Sequence, residues 1–114
     1  MKIENFEDII SWQKGRELSF LIHQVLKNNR DYGFKNQIER AAVSVSNNIA
    51  EGYERKGSRE LKQFLFIAKG SCGEVRSMLY LALDFKYIDQ EIFKKSYDLS
   101  LEICRLLSGF IKKL

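Results

Sequence analysis

Residues 37–52 read QIERAAVSVSNNIAEG, and the spacing of their side chains decides the fold class. When successive residues are placed about 100° apart, as in an α-helix, the apolar side chains occupy one arc and the polar side chains the adjoining arc. The apolar arc contains Ile38, Ala41, Ala42, Val45, Ile49 and Gly52. The polar arc, called the helix-two stripe below, contains Gln37, Arg40, Ser44, Asn47, Asn48 and Glu51. This pattern predicts an amphipathic helix whose apolar arc faces a core.

The helix-two stripe is rich in serine and asparagine, which are mediocre helix formers that hydrogen-bond to nearby groups. Two interpretations follow. The stripe can form a polar network that fixes how helices or subunits meet, in which Arg40 and Glu51 are held among the amides of Asn47 and Asn48. It can instead be a polar surface that binds a partner. We favour the structural network.

Composition points to one soluble helical domain covering residues 1–114. The chain is 45% apolar and 30% charged, and it contains no proline, the residue that most often breaks helices. No stretch approaches the roughly 18 apolar residues needed to cross a bilayer, and the N-terminus does not resemble a signal peptide. We therefore expect a cytoplasmic protein without membrane contacts.

Apolar spacing divides the chain into four helices, at about residues 9–28, 35–55, 58–85 and 90–113. Short polar links connect them, so neighbouring helices are expected to be antiparallel. The sequence thus predicts an all-α protein, an antiparallel up-down-up-down four-helix bundle. The third helix has a second apolar patch outside its main arc, at Ile67, Met78, Leu81 and Phe85. This patch predicts a subunit interface, with a wide core face as the alternative.

The sequence has no recognisable catalytic, cofactor or metal motif. His23 is the single histidine, and no nucleophile stands beside it in a catalytic arrangement. Cys72 and Cys104 lie in apolar arcs and are interpreted as buried thiols of a reducing compartment. Gly70 and Gly73 fall within a helical pattern and are interpreted as points of close helix contact. We expect a protein that is not an enzyme and that carries no cofactor or metal.

Basic residues suggest an anionic partner. The net charge is +4, and Lys62, Lys69 and Arg76 recur every seven positions on the third helix, with Arg59 nearby. A row of outward cations can follow a phosphate backbone, with exposed aromatic residues such as Phe66 and Tyr80 stacking on bases. The alternative is an ordinary solvated face, with the two aromatic residues covering a neighbouring subunit.

Several blocks resemble one family along almost the whole chain. The segment from Ser44 to Gly52 fits the pattern Ser-x-x-x-Asn-Ile-Ala-Glu-Gly within residues 37–52. Further similar blocks are FEDI at 6–9 with WQK at 12–14, FLFIAKGS at 64–71 with GE at 73–74, and LDFKYI at 83–88. These blocks resemble the four-helix-bundle proteins encoded by 23S rRNA intervening sequences. The family commonly has proline where this chain has Ser46, and its first link usually contains proline.

The resemblance implies a small bacterial bundle, often a homopentamer, related to the accessory variability proteins of diversity-generating retroelements. Those relatives form a basic barrel that engages nucleic acid and a reverse transcriptase. Our leading hypothesis is therefore a non-enzymatic, oligomeric protein that binds RNA or structured DNA through Arg59, Lys62, Lys69 and Arg76. The alternative is an interaction scaffold whose oligomer presents the helix-two stripe to a protein partner.

Overall fold

Four α-helices make up most of the structure, a computed structural model that describes residues 2–114. They are α1 (Ile10–Leu26), α2 (Tyr32–Glu54), α3 (Ser58–Asp84) and α4 (Gln90–Lys112), with a short 3-10 helix at Phe6–Asp8 before α1. Residues 2–114 contain no β-strand. The all-α prediction is therefore confirmed.

The start of α2 lies three residues before its predicted position. Asp31 is the N-cap, and its carboxylate accepts a hydrogen bond from the backbone N–H of Phe34 at 3.2 Å. A capping carboxylate satisfies one of the free amides of the first turn, and its charge suits the positive end of the helix dipole. The cap therefore extends the helix through Gly33, a residue that the sequence pattern assigns to a turn. Asp89 caps α4 in the same way, through the N–H of Ile92 at 2.8 Å.

The helices pack in a ring in which each backbone approaches its two neighbours, and within residues 2–114 no Cα atoms of diagonal helices come within 8 Å of each other. Their directions alternate, as cross-helix contacts show. The end of α1 meets the start of α2 where His23 Nδ1 lies 3.2 Å from Glu39 Oε2. The α3–α4 pair is antiparallel too, since Arg76 contacts Cys104 while Tyr80 packs on Phe93. The arrangement is the predicted up-down-up-down bundle.

The core combines aliphatic side chains with small residues that let helices approach. Its largest fully buried side chains include Leu18, Ile22, Ile49, Leu65, Leu79, Ile103 and Leu107. Gly52 of α2 lies directly against α3, since a Cβ added there would sit 2.6 Å from the Cβ of Phe64. Ser96 and Ser100 of α4 are also fully buried, and their hydroxyls donate to carbonyls one turn earlier in the same helix. Burial of these two serines therefore leaves neither hydroxyl without a hydrogen-bond partner in the core.

The segment before α1 folds back onto the bundle. The rings of Phe6 and Trp12 meet edge to face, 5.1 Å apart, and the hydroxyl of Tyr53 donates to the carbonyl of Ile3 at 3.3 Å. Asp8 Oδ2 accepts hydrogen bonds from the N–H groups of Glu4 and Asn5, both at 3.0 Å. These contacts hold the segment against the end of the bundle where α1 begins and α4 ends.

Candidate functional site

A line of cations follows the edge of α3 that adjoins α4. It consists of Lys62, Lys69 and Arg76 and is called the basic edge below. Arg76 Nη1 donates to Cys104 Sγ of α4 at 2.9 Å, and that sulfur lies 4.0 Å from the carbonyl oxygen of Lys69. These contacts place Arg76 and the backbone at Lys69 beside α4, and the seven-residue spacing puts Lys62 on the same side of α3. Lys62 is exposed, and Lys69 and Arg76 are half-buried.

The three cations of the basic edge form no ion pair with any carboxylate in residues 2–114. Their charge is therefore available to an external anion. The hydrogen bond to Cys104 raises the pKa of Arg76, so its guanidinium stays charged. Arg59 is exposed but lies about 60° around α3 from Lys62, nearer the outward side of the helix. The structure thus groups three of the four candidate cations and sets Arg59 apart.

An exposed aromatic ring lies beyond the basic edge, one turn after Arg76. The ring of Tyr80 packs at 5.1 Å from Phe93 and at 5.6 Å from Tyr97, which in turn stack on each other. Tyr80 is supported from α4 and still has about half of its surface exposed. A supported, exposed ring beside cations can stack on a nucleic-acid base.

The helix-two stripe is only partly a hydrogen-bonded network. Ser44 Oγ lies 2.8 Å from Ser71 Oγ of α3, and Asn48 Nδ2 donates to both the carbonyl and the hydroxyl of Ser44 at 2.8 Å. Glu51 pairs within its own helix with Arg55 at 2.9 Å. The exposed side chains of the stripe, Gln37, Arg40 and Asn47, form no hydrogen bond to other side chains or backbone within residues 2–114. The structure therefore brings Ser44 and Asn48 together with Ser71 and leaves the other stripe residues outside this contact.

Exposed apolar side chains lie near both ends of the outward side of α3. Ile67, Leu81 and Phe85 are 51%, 42% and 51% exposed, and Phe66 joins them. We call these four residues the outer face of α3. Met78 differs from its predicted companions, because it is only 5% exposed and packs in the core. Its position in the helix lies nearer α2, so a wide core face accounts for Met78. Ile67 and Leu81 remain exposed, and Phe85 is exposed on one side while its ring packs edge to face on Phe34 at 5.9 Å and on Tyr87 at 5.5 Å.

Gly70 and Gly73 occupy this outward side and do not mark close helix contacts. A Cβ added to either would meet nothing within 4 Å. The interpretation from the sequence is therefore wrong for both, and the close approaches are made by Gly15 and Gly52 instead.

The two thiols lie together between α3 and α4. Cys72 is fully buried and donates to the carbonyl of Ser100 at 3.0 Å. Burial raises the pKa of Cys72 to about 12, with a further contribution from Cys104. Within the described part of the chain, no group of three His, Cys, Asp or Glu side chains is arranged to hold a metal ion. None of the helices described is long and apolar enough to cross a membrane.

Comparisons with known proteins agree with this architecture. A family model described as 23S rRNA-intervening sequence protein matches residues 7–109. A similar solved structure is that of a protein with unknown function from the S23 ribosomal protein family of Bacteroides thetaiotaomicron. It shares 26% sequence identity with a TM-score of 0.84, and the match covers 90% of this chain and 99% of the other. A comparison with curated proteins finds no match.

Proposed function

This chain belongs to the 23S rRNA-intervening sequence protein family, and from that premise we propose that it is a non-enzymatic protein that binds RNA or structured DNA. The observation that carries the proposal is the basic edge, whose three cations lack acidic partners within residues 2–114. Uncompensated lysine and arginine side chains bind phosphates by releasing condensed counterions. The contacts position the nucleic acid and do not themselves read its sequence.

The geometry of the basic edge supports an extended anion. Residues seven apart in an α-helix lie about 10 Å apart along its axis, so the three cations can meet phosphates spaced along an extended backbone, though not neighbouring ones. Tyr80 continues the line and offers a ring on which a base can stack. The cations are spread along one exposed helix edge, which suits an extended anion better than a compact one.

Binding is expected to weaken when Lys62 and Lys69 are both changed to glutamine. Each lost phosphate contact lowers the slope of log affinity against log salt by about 0.7 for a single strand and about 0.9 for a duplex. Arg76 is left intact because its guanidinium also packs on Cys104. The measurement is a fluorescence-anisotropy titration of structured RNA and of duplex DNA at several salt concentrations.

The matched control changes Lys27 and Lys35 to glutamine. This variant loses the same two positive charges as the first one. The two lysines lie at the junction of α1 and α2, where Lys35 Nζ donates to the carbonyl of Lys27. If the two double variants weaken binding equally, net charge and not the basic edge is responsible. If the wild-type chain binds neither nucleic acid, the proposed function is wrong.

We also propose that the protein works as a homo-oligomer built through the outer face of α3. The four exposed apolar side chains form two groups about 21 Å apart along the helix, Phe66 with Ile67 and Leu81 with Phe85, and apolar groups exposed in this way mark a subunit interface. A pentamer is the number that the family resemblance favours. The adjacent basic edge would then repeat around the assembly, and several weak phosphate contacts would add into a stronger one.

Leu81→Asp is expected to dissociate this oligomer. An unpaired charge in the centre of an apolar contact loses its hydration, which costs several kcal/mol. The association constant of the oligomer is therefore expected to fall roughly a hundredfold or more. Light scattering during size exclusion measures the mass before and after the change. Val43→Asp is the control, since Val43 is comparably exposed but lies on α2. A wild-type monomer, or equal effects of both changes, would contradict the proposed interface.

A second candidate function rests on the exposed part of the helix-two stripe. Gln37, Arg40 and Asn47 present hydrogen-bonding groups on one helix face, which favours a surface that binds a protein partner. In that case the protein is a scaffold, and Arg40→Ala is expected to remove partner binding while leaving nucleic-acid affinity unchanged.

A further inference from the structure

A cavity of about 420 Å³ lies between the start of α1 and the end of α4. Its volume falls within the range of small-molecule sites, roughly 300–1,000 Å³. Apolar side chains from three parts of the chain line most of it, namely Ile3, Ile10, Leu106 and Phe110. Ile3 and Ile10 are exposed, so the walls present apolar surface that a bound molecule would remove from water.

The polar end of this cavity is formed by the first turn of α1. Ser11 lines the cavity and is 2% exposed, and its hydroxyl has no hydrogen-bond partner within residues 2–114. A buried hydroxyl without a partner is costly, so native proteins rarely keep one without a reason. The same turn has no side-chain cap and no acidic residue, which leaves the amides of its first turn without acceptors.

The charges around the cavity favour an anion. Arg105 and Lys113 line it from α4, two turns apart, and neither forms an ion pair in the described part of the chain. The positive end of the α1 dipole and the negative end of the α4 dipole both lie at this cavity, so the attraction for an anion comes mainly from the two cationic side chains. Asp8 also lines the cavity, and two backbone N–H groups of the preceding segment donate to its carboxylate and lower the pKa of Asp8. Asp8 therefore stays negative and offsets one of the two cations. The cavity thus combines apolar walls with two cations and one carboxylate, so one positive charge is left without an acidic partner among its lining side chains.

Gly109 keeps the wall of the cavity open on the α4 side. It lines the cavity within the last turns of α4, and a Cβ added there would meet nothing within 4 Å. No packing contact therefore requires glycine at this position, although glycine is among the poorest helix formers. A larger side chain would fit the helix and occupy the cavity.

We propose that this cavity binds a small amphipathic carboxylate of the fatty-acid class. The carboxylate accepts hydrogen bonds from the Ser11 hydroxyl and the free amides at the start of α1, within reach of Arg105 and Lys113. The hydrocarbon body lies against Leu106 and Phe110 and covers Ile10. Ser11 reaches the carboxylate by rotation about its Cα–Cβ bond, which is free because the hydroxyl has no partner to lose. The site is separate from the basic edge and does not depend on nucleic-acid binding.

Isothermal titration of the full chain with decanoate, below its micelle concentration, tests the proposal. We expect saturable binding of one decanoate per chain. Two further probes separate the contribution of the carboxylate from that of the hydrocarbon chain. Decyltrimethylammonium has the same ten-carbon chain but a positive charge, and butyrate has the carboxylate but a much shorter chain. Each is expected to bind at least tenfold more weakly than decanoate. Equal binding of the two decyl compounds would mean a non-specific apolar surface and would overturn the proposal.

Two variants locate the site. Gly109→Leu is expected to weaken decanoate binding at least tenfold without lowering the melting temperature, because the new side chain fills the cavity on an otherwise sound helix. Ser11→Ala is expected to weaken it about tenfold, the loss of one hydrogen bond to a charged group. Gly33→Leu is the control, since Gly33 is exposed on α2 at the opposite end of the bundle. Unchanged decanoate affinity in Gly109→Leu, or an equal loss in Gly33→Leu, would show that the cavity is not the binding site.

Discussion

Gly52→Val is expected to lower the free energy of unfolding by about 3 kcal/mol, a large part of the 5–15 kcal/mol that a domain of this size has. A Cβ at this position would lie 2.6 Å from the Cβ of Phe64, 3.2 Å from Leu61 Cδ1 and 3.4 Å from the Leu61 carbonyl oxygen. The first of these atoms is fixed to the backbone of α3 and cannot rotate away. Relief therefore requires α2 and α3 to separate, and a β-branched side chain increases the separation.

Gly70→Ala is the matched control for this prediction. Gly70 is also inside a helix, but a Cβ there would meet nothing within 4 Å. The change is expected to raise stability by up to about 1 kcal/mol, because alanine is the better helix former. Urea unfolding of both variants, followed by circular dichroism, gives the two free energies. If both variants change the free energy of unfolding by the same small amount, α2 and α3 do not approach each other closely at Gly52.

The position of Gly52 in a helix can be predicted from the sequence, but its contact with α3 cannot. The sequence places this glycine on the apolar arc of the second helix and leaves two roles open, close approach or the helix end. α2 continues to Glu54, so close approach is the role that the structure shows. Helical periodicity is a local property, and it therefore predicted four helices and their order. The distance between two helices depends on how their faces pack against each other. The spacing of residues within one helix therefore does not predict it.

The burial of some polar residues could not be predicted from the sequence either. Ser96 and Ser100 are fully buried, yet hydropathy alone assigns serine to the surface. Their hydroxyls donate to their own helix, so they pack as small residues and help α4 to approach α3. The basic edge is visible in the sequence because its three cations recur on one helix. The cavity is not, because Ser11, Arg105 and Gly109 come from opposite ends of the chain and meet only when α1 packs against α4.

The second large effect concerns alkaline pH and Cys72. Burial raises the pKa of this thiol to about 12, against 9.0 for the unshifted group. The folded state thus holds the proton more tightly than the unfolded state. The resulting stability is complete below pH 9 and is lost as the pH rises towards the folded value. One pKa unit corresponds to about 1.4 kcal/mol, so the contribution of Cys72 should fall by about 2 kcal/mol between pH 8 and pH 10.5.

The comparison of wild type with Cys72→Ala isolates this loss. Both proteins contain the same lysines and tyrosines, whose titration in this range cancels in the difference. Cys104 interacts with Cys72, so any change in its ionisation is part of the measured loss. At pH 8 the alanine variant is expected to be less stable by about 1–2 kcal/mol, because it lacks the buried sulfur and its hydrogen bond to the Ser100 carbonyl. At pH 10.5 the unfolded wild-type chain gains a thiolate that the variant cannot form, so the order of stability is expected to disappear or reverse. Parallel stability profiles across this range would mean that Cys72 ionises as easily in the folded chain as in the unfolded one, and would contradict the prediction.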